Sequence, residues 1–255
     1  MTYAGKTAIF AIALLVAPPA YADDALHILK SMSDYVAAQK TISASYDSSI
    51  EVVTSELQKI AFTSSGKLLI SRPDKIRMTR TGGYADVVMN FNGKTLSILG
   101  KNLNAYAETE MPGTLDNLVD RIRARTDAAI PGADLFSTNA YAGMTEDLTD
   151  AKHIGRGVIN GVECDHLAFR TPDVDWQIWV QVGSTPIPRK YVITSKGVTG
   201  APQYTIQIND WRTDVPVDAN AFVFAPPKGA TKVRADQMKQ VDEVPPGQPS
   251  QGGKK

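Results

Sequence analysis

The side chains best suited to chemistry are scattered along this chain. Its three histidines, His27, His153 and His166, fall in different predicted elements, and none has the i, i+4 spacing or the paired cysteines of a zinc site. The most suggestive cluster is Cys164-Asp165-His166, but neighbouring side chains of a strand face opposite ways, so Asp165 points away from the other two. The thiol and the imidazole then stand about 6 to 7 Å apart along the strand, beyond the hydrogen-bond reach that an activated nucleophile needs. We therefore predict neither a catalytic pair nor a metal site.

The sequence also lacks the motifs of common enzyme classes. It has no Gly-x-Ser-x-Gly elbow, no phosphate-binding glycine loop and no dinucleotide fingerprint. Its closely spaced acids, Asp173 with Asp175 and Glu108 with Glu110, lie in predicted turns and strand edges, where a solvated charge is the usual state. The 27 Lys and Arg balance the 27 Asp and Glu, whereas binding nucleic acid requires a concentrated excess of cations. We expect a non-catalytic protein that needs no cofactor and binds no nucleic acid.

Residues 1–22 have the pattern of a secretory signal. A single cation, Lys6, precedes an apolar run at residues 7–17, and Ala-Tyr-Ala follows two prolines at the end of the segment. The run is shorter than the about 20 residues of helix that cross a bilayer core, which disfavours the alternative of a retained anchor helix. We predict cleavage after Ala22, export from the cytoplasm and no transmembrane segment in the mature chain. The next residue is Asp23, so the mature end lacks the cysteine that would carry a lipid anchor.

Two segments have the apolar spacing of amphipathic helices. Residues 24–39 place Leu26, Leu29, Met32 and Val36 at three- and four-residue spacings. Residues 114–125 repeat this pattern, and Thr114 is suited to cap the start of the helix. Residues 131–149 form a mixed linker that includes a short helical turn near its start.

Much of the remaining chain alternates apolar and polar residues with the two-residue period of β-strands. Asn-Gly pairs at 92–93 and 160–161 are strong signals of hairpin turns. The predicted strands are residues 41–52, 56–62, 66–72, 75–81, 85–91, 94–99, 152–159, 162–170, 176–182, 190–195 and 203–211.

These elements predict an α+β protein that is mainly antiparallel β. So many strands curl the sheet into an incomplete β-barrel, a half-barrel whose concave face is covered by the helices. Residues 23–235 form one domain, and residues 236–255 form a disordered tail rich in proline and glycine. Cys164 is the single cysteine, so packing and not a disulfide stabilises the domain.

The concave face of the sheet is filled either by the helices or by a ligand. Apolar stripes on helices usually belong to a core, and this favours filling by the helices.

Several short motifs resemble one group of bacterial proteins. In order along the chain, they are Arg-Pro-Asp-Lys-Ile-Arg at 72–77, Phe-Asn-Gly-Lys-Thr-Leu at 91–96 and Asn-Ala-Phe-Val-Phe-Ala-Pro-Pro-Lys-Gly-Ala at 220–230. With the signal and the opening helix, they resemble the periplasmic lipoprotein carriers of the LolA-like superfamily. The segments that look like a branch of predicted periplasmic proteins of unknown function are residues 163–169, 176–179 and 186–190. The resemblance covers nearly all of residues 24–235.

The resemblance implies a location in the periplasm and an apolar cavity, between a curved sheet and a helical lid, that receives acyl chains. It shifts the balance from a filled core towards a pocket. We expect a monomeric binding or carrier protein for a lipid, a lipoprotein acyl chain or another apolar ligand. Candidate ligand-binding residues are large and lie on the buried phase of strands or helices: Tyr46, Ile50, Phe91, Ile98, Leu118, Ile122, Trp176, Ile178 and Tyr204. The alternative is a non-catalytic envelope module with a filled core, whose outward Trp179 and the loop at 186–188 meet a protein partner.

Overall fold

A computed structural model describes residues 20–126, 132–238 and 241–245. The predicted signal segment up to residue 19 and the last ten residues of the predicted tail, 246–255, lie outside this range. The first helix begins at Ala20, ahead of the predicted cleavage site.

The described residues include three α-helices and two 3₁₀ helices. The α-helices are α1 (Ala20–Ala38), α2 (Leu115–Thr126) and α3 (Ala140–Thr145), and the 3₁₀ helices span Ala133–Phe136 and Ala235–Gln237. In α1, the buried residues Ala25, Leu29, Met32 and Val36 recur at four- and three-residue intervals, so one stripe faces the sheet. This stripe agrees with the predicted helix except that Ala25, not Leu26, is its first fully buried residue.

The described residues form a twelve-stranded sheet. The first six strands are β1 (Thr41–Val53), β2 (Lys59–Ser71), β3 (Lys75–Gly82), β4 (Asp86–Asn92), β5 (Thr95–Gly100) and β6 (Ala105–Glu110). The other six are β7 (Asp150–Ile159), β8 (Val162–Arg170), β9 (Val174–Gln181), β10 (Pro188–Ser195), β11 (Gln203–Thr213) and β12 (Thr231–Lys232).

Two antiparallel meanders, β1 to β6 and β7 to β11, make up this sheet. They join where β1 pairs with β11, and the short β12 adds a parallel pairing on β6. The strand order runs from β12 to β7 without returning to its start, so the sheet is not closed into a barrel. This architecture confirms the predicted class of a mainly antiparallel, incomplete barrel with helices.

Most strand predictions are correct to within a few residues, and the exceptions have local causes. The predicted strands 56–62 and 66–72 are one continuous strand, β2, because the serines and glycine at its centre continue the ladder instead of turning. The predicted linker 131–149 contains α3, and the sequence did not indicate β6 or β12. At the Asn160-Gly161 hairpin the prediction holds, and both residues have the positive φ angles, 49° and 79°, that such a turn requires.

One face of the sheet, here called the inner face, forms the core. In β1 it carries the even-numbered residues, which are mostly buried, whereas the odd-numbered residues are more exposed. Pairing extends the same row across the sheet: Ile208, Tyr46, Gly66, Arg80, Val87 and Gly100 lie side by side from β11 to β5. Buried side chains of α1 pack on the inner face of β8 to β11, while Leu115 and Leu118 of α2 pack with residues of β1 to β5.

The chain after β11 wraps around the free edge of the sheet beside β6. On the outer face, Asn90 donates a 2.7 Å hydrogen bond to the Phe222 carbonyl, and the rings of Tyr106 and Phe224 are 5.5 Å apart. After β12, Met238 is buried, and residues 241–245 return to the inner face. Within the predicted tail, Met238 is therefore buried and Val241 and Glu243 contact the sheet, and disorder of the tail as a whole stays a prediction.

Candidate functional site

The nine predicted ligand-binding residues all belong to the core of the inner face. A cluster beneath α1, here the first cluster, contains Tyr46, Trp176, Ile178 and Tyr204, with Ile50 packed at its border. A second cluster, beneath α2, contains Phe91 and Leu118, with Ile98 and Ile122 at its border. The structure thus brings the nine residues to one side of the sheet but divides them between two clusters. Whether any of them contacts a ligand stays a prediction.

The two clusters meet at one end of the strands. Phe136 and Trp211 pack against both clusters, and their rings stack with centroids 6.3 Å apart. Arg72 connects the helices above them to the sheet, since its guanidinium donates to the carbonyls of Val36 at 3.4 Å and Phe136 at 2.8 Å. Burial lowers the pKa of Arg72, and the nearby charge of Asp116 opposes this effect. This end of the inner face is therefore closed by α1, α2 and the Ala133–Phe136 turn.

The opposite end of the strands, here called the mouth, is less completely covered. Its apolar side chains include Ile50, Phe62, Val87 and Ile193, which are only half-buried on the inner face. By contrast, Ile42 and Ile70 of the closed end are fully buried.

Tyr46 lies at the mouth because Gly66 leaves room for its ring. A Cβ atom on Gly66 would be 2.4 Å from the Tyr46 Cζ atom and 2.1 Å from the Thr79 carbonyl oxygen. The Tyr46 hydroxyl donates a 3.0 Å hydrogen bond to that same Thr79 carbonyl. Burial raises the pKa of Tyr46 to about 12, so the hydroxyl stays neutral at physiological pH.

A small polar patch interrupts the apolar lining of the mouth. The hydroxyls of Ser48 and Ser64 lie 2.9 Å apart, and Ser48 also interacts with the hydroxyl of Tyr204. Burial raises the pKa of Tyr204 as well. Arg80 lies beside this patch on the inner face, with its side chain 17% exposed.

Residues 241–245 cover this patch. Arg80 donates a hydrogen bond from Nη2 to the Val241 carbonyl, and its Nη1 lies 3.5 Å from Glu243 Oε1. The Glu243 side chain is 16% exposed, and its Oε2 is buried without a hydrogen-bond partner among the described residues. This site was not predicted from the sequence, although an arginine in phase with Ile76 and Met78 of the predicted strand 75–81 was a usable signal.

The outer face carries a different set of groups. The rings of His166 and Trp179 stack with centroids 4.1 Å apart, and Lys190 Nζ lies 5.3 Å from the Trp179 ring. His166 also has a 2.9 Å hydrogen bond to Gln177. Cys164 is fully buried, and burial raises the pKa of its thiol. Both effects disfavour the reactive thiolate.

A polar depression of about 460 Å³ lies on the central strands. Its lining contains hydroxyl, amide and carboxylate groups of outward-facing residues, including Asp47, Thr63, Thr81 and Gln207. Asp47 is already engaged, because Ser65 and Asn209 donate hydrogen bonds to it at 2.6 and 2.9 Å. The residues that line this depression include no large apolar side chain, whereas a pocket for an acyl chain is lined mainly by such side chains.

Within residues 20–126, 132–238 and 241–245, no three His, Cys, Asp or Glu side chains lie close enough together to hold a metal ion. Over the same ranges, none of the helices combines the length and apolarity needed to span a membrane.

The chain belongs to a family described as predicted periplasmic protein (DUF2092), whose model matches residues 25–235. It is also 28% identical over 184 residues to an outer-membrane lipoprotein carrier protein of Cupriavidus necator, a match that covers 71% of this chain and 74% of that protein. These findings confirm the predicted resemblance to LolA-like carriers within a branch of predicted periplasmic proteins.

Solved structures with a similar arrangement are distant in sequence. An uncharacterized conserved protein from Thermus thermophilus has a TM-score of 0.49 at 10% identity, covering 83% of this chain and 99% of its own. LprF from Mycobacterium bovis has a TM-score of 0.48 at 10% identity, covering 78% and 97%. A LolA superfamily protein from Nitrosomonas europaea has a TM-score of 0.36 at 11% identity, covering 78% and 97%. All three TM-scores lie below 0.5, so no property of these proteins is carried over to this chain.

Proposed function

We propose that this protein is a periplasmic, non-catalytic carrier that holds an acyl chain against the inner face of its half-barrel, entering at the mouth. The observation that carries this proposal is the uneven cover of an apolar surface. Helices close one end of the inner face, whereas Ile50, Phe62 and Ile193 at the other end are only half-buried. The family membership and the lipoprotein carrier relative support the same conclusion.

The energetics of an acyl chain suit such a surface. Burial of each CH₂ group contributes about 0.8 kcal/mol, so a chain of about ten carbons is held without any charged contact. The half-buried side chains at the mouth are already partly exposed, so entry of a chain there does not require the sheet to unfold. Export through the predicted signal and cleavage after Ala22 complete the proposal of a monomeric periplasmic protein.

A paired substitution on β1 tests the proposal. Ile50→Asp places a carboxylate in the apolar lining of the mouth, while Ser49→Asp places the same charge one residue away on the outer face. We expect Ile50→Asp to weaken binding of the neutral apolar dye N-phenyl-1-naphthylamine by about tenfold or more. The bound dye would cover the new carboxylate without compensating its charge, and burial of such a charge is costly. Ser49→Asp should bind the dye as the unmodified protein does.

The control for folding is the circular dichroism spectrum of both variants, which should match that of the unmodified protein. Equal dye affinity in the two variants would contradict binding at the mouth. Failure of the unmodified protein to bind any apolar probe would contradict the carrier proposal as a whole.

A second candidate is an envelope interaction module whose core is filled by its own side chains. The Trp179 ring on the outer face, stacked on His166, favours it, because tryptophan and other large aromatic residues are enriched at protein interfaces. Substituting Trp179→Ser should then abolish co-purification of a specific envelope protein and leave dye binding unchanged. If the protein is only a carrier, Trp179→Ser changes neither dye binding nor the set of proteins that co-purify.

A further inference from the structure

We propose that Arg80 is the binding site for the anionic head of a single-chain amphiphile such as a fatty acid, and that Glu243 of the chain's own C-terminal segment occupies this site until a ligand displaces it. This inference rests on the proposed carrier function and adds to it a class of ligand and a means of control.

The first observation is the position of the charge. Arg80 lies on the inner face, in the same row as Tyr46 and Val87, and its side chain is only 17% exposed. A cation that interrupts an apolar lining is costly to bury, and such a charge is normally compensated by an opposite charge or hydrogen-bond acceptors. Here the compensation comes from Glu243 and the Val241 carbonyl, both at the end of the described chain.

The second observation is that the compensation is incomplete. Only one carboxylate oxygen of Glu243 approaches Arg80, at 3.5 Å, and the other is buried without a hydrogen-bond partner among the described residues. Burial raises the pKa of Glu243, an effect that the charge of Asp242 adds to and that Arg80 opposes. A buried carboxylate with one long contact and one unsatisfied oxygen is weakly held. A ligand carboxylate that is free to orient can form the two parallel hydrogen bonds that a guanidinium prefers.

The third observation is the chemistry around the guanidinium. Tyr46 and Tyr204 lie close enough to Glu243 for its charge to raise the pKa of both hydroxyls. Ser48 adds a hydroxyl next to Tyr204. The Tyr46 hydroxyl already donates to the Thr79 carbonyl, so the Tyr204 hydroxyl is the neutral donor left for an anion. The half-buried apolar side chains of the mouth continue away from it. A polar site beside an apolar surface suits an amphiphile that has one charged end and one apolar chain.

The fourth observation concerns the position of the C-terminal segment, residues 241–245, on the inner face. Gly100 lies in the same cross-strand row as Arg80, and a Cβ atom there would approach the Val241 side chain to 3.2 Å. Residues 241–245 therefore lie over Gly100 and Arg80 on the inner face, a position here called the trough, and form no strand of the sheet. Because the chain reaches this trough after leaving β12 at the sheet edge, the segment can leave it without breaking the strand pairing of the domain.

The test compares amphiphiles that differ only in the head. Isothermal titration calorimetry of the full chain at pH 8 uses dodecanoate and dodecyltrimethylammonium below their critical micelle concentrations and dodecanol below its solubility limit. We expect dodecanoate to bind most tightly. Glu243→Gln should tighten dodecanoate binding by about tenfold, because the competing occupant is weakened, and Arg80→Gln should weaken it by about tenfold or more towards the affinity of dodecanol.

Matched controls lie close by in the sequence. Arg77→Gln removes a guanidinium from the outer face of the same strand, so it should leave dodecanoate binding unchanged. Arg80→Lys keeps the positive charge at this position. It should retain part of the dodecanoate affinity if Arg80→Gln weakens binding by removing the contact with the carboxylate head and not by misfolding.

If the unmodified protein bound dodecanoate no more tightly than dodecanol, and Arg80→Gln left both affinities unchanged, this inference would be overturned. The carrier proposal would still stand. Unchanged dodecanoate affinity in Glu243→Gln would overturn displacement of the segment. Absence of binding by all three amphiphiles in every variant would overturn both this inference and the carrier proposal.

Discussion

Replacing Gly66 with alanine should disrupt the mouth more than any other single-methyl change. The added Cβ would lie 2.1 Å from the Thr79 carbonyl oxygen and 2.4 Å from Tyr46 Cζ, whereas ordinary carbon contacts begin near about 3.5 Å. The backbone of β3 cannot yield as a flexible side chain would, so the Tyr46 ring must turn away and lose its hydrogen bond to Thr79. Overpacking costs about 1 to 3 kcal/mol, and the lost hydrogen bond costs about 1 kcal/mol more.

Urea unfolding followed by circular dichroism measures this effect directly. With a slope of about 1 to 3 kcal/mol per molar urea, we expect the unfolding midpoint of Gly66→Ala to fall by about 1 M or more. Gly143→Ala is the matched control, because a Cβ there meets no atom within 4 Å and alanine favours helix α3 by about 0.5 to 1 kcal/mol. A Gly66→Ala midpoint equal to that of the unmodified protein would refute the close packing of Tyr46 over Gly66.

Three further outcomes follow from contacts elsewhere in the molecule. The pKa of Asp175 is lowered to about 2, chiefly by hydrogen bonds from Arg170, so its contribution to stability is present above the ordinary carboxyl pKa and is lost as pH falls through about 2. Asp175→Asn should therefore lower the free energy of unfolding by about 0.5 to 1 kcal/mol at pH 7, and a pH titration of unfolding should show the two proteins converging near pH 2. Cys164 should react with Ellman's reagent only on unfolding, and rapid reaction in the native protein would contradict its burial. Arg72→Ala should increase hydrogen exchange in α1, because it removes the hydrogen bonds that join Val36 and Phe136 to the sheet; unchanged exchange would mean that apolar packing alone holds the helix.

The regular parts of this fold could be predicted because their signals are local. The alternation of Ile42, Ala44 and Tyr46 with polar neighbours identifies both the strand β1 and its inner face, and the structure agrees. The stripe of α1 and the Asn160-Gly161 turn likewise depend on a few adjacent residues. The same local pattern placed all nine candidate residues on the inner side of the sheet.

The parts that the sequence did not indicate depend on contacts between distant residues. Gly66 reads as a break between two strands, but it is a strand position kept small by the Tyr46 ring from the neighbouring strand. The C-terminal segment has the composition of a disordered tail, yet Arg80, more than 160 positions earlier, brings Val241 and Glu243 to the mouth. Neither relation has a fixed spacing, so no periodicity in the chain can reveal it.

The central claim, that the inner face carries an acyl chain, is tested most directly by native mass spectrometry of the protein purified from its own periplasm. We expect a mass above that of the mature polypeptide by the mass of one lipid, removal of this excess by organic extraction, and recovery of an acyl chain in the extract. A mass equal to that of the polypeptide alone, with no acyl chain in the extract, would contradict the claim.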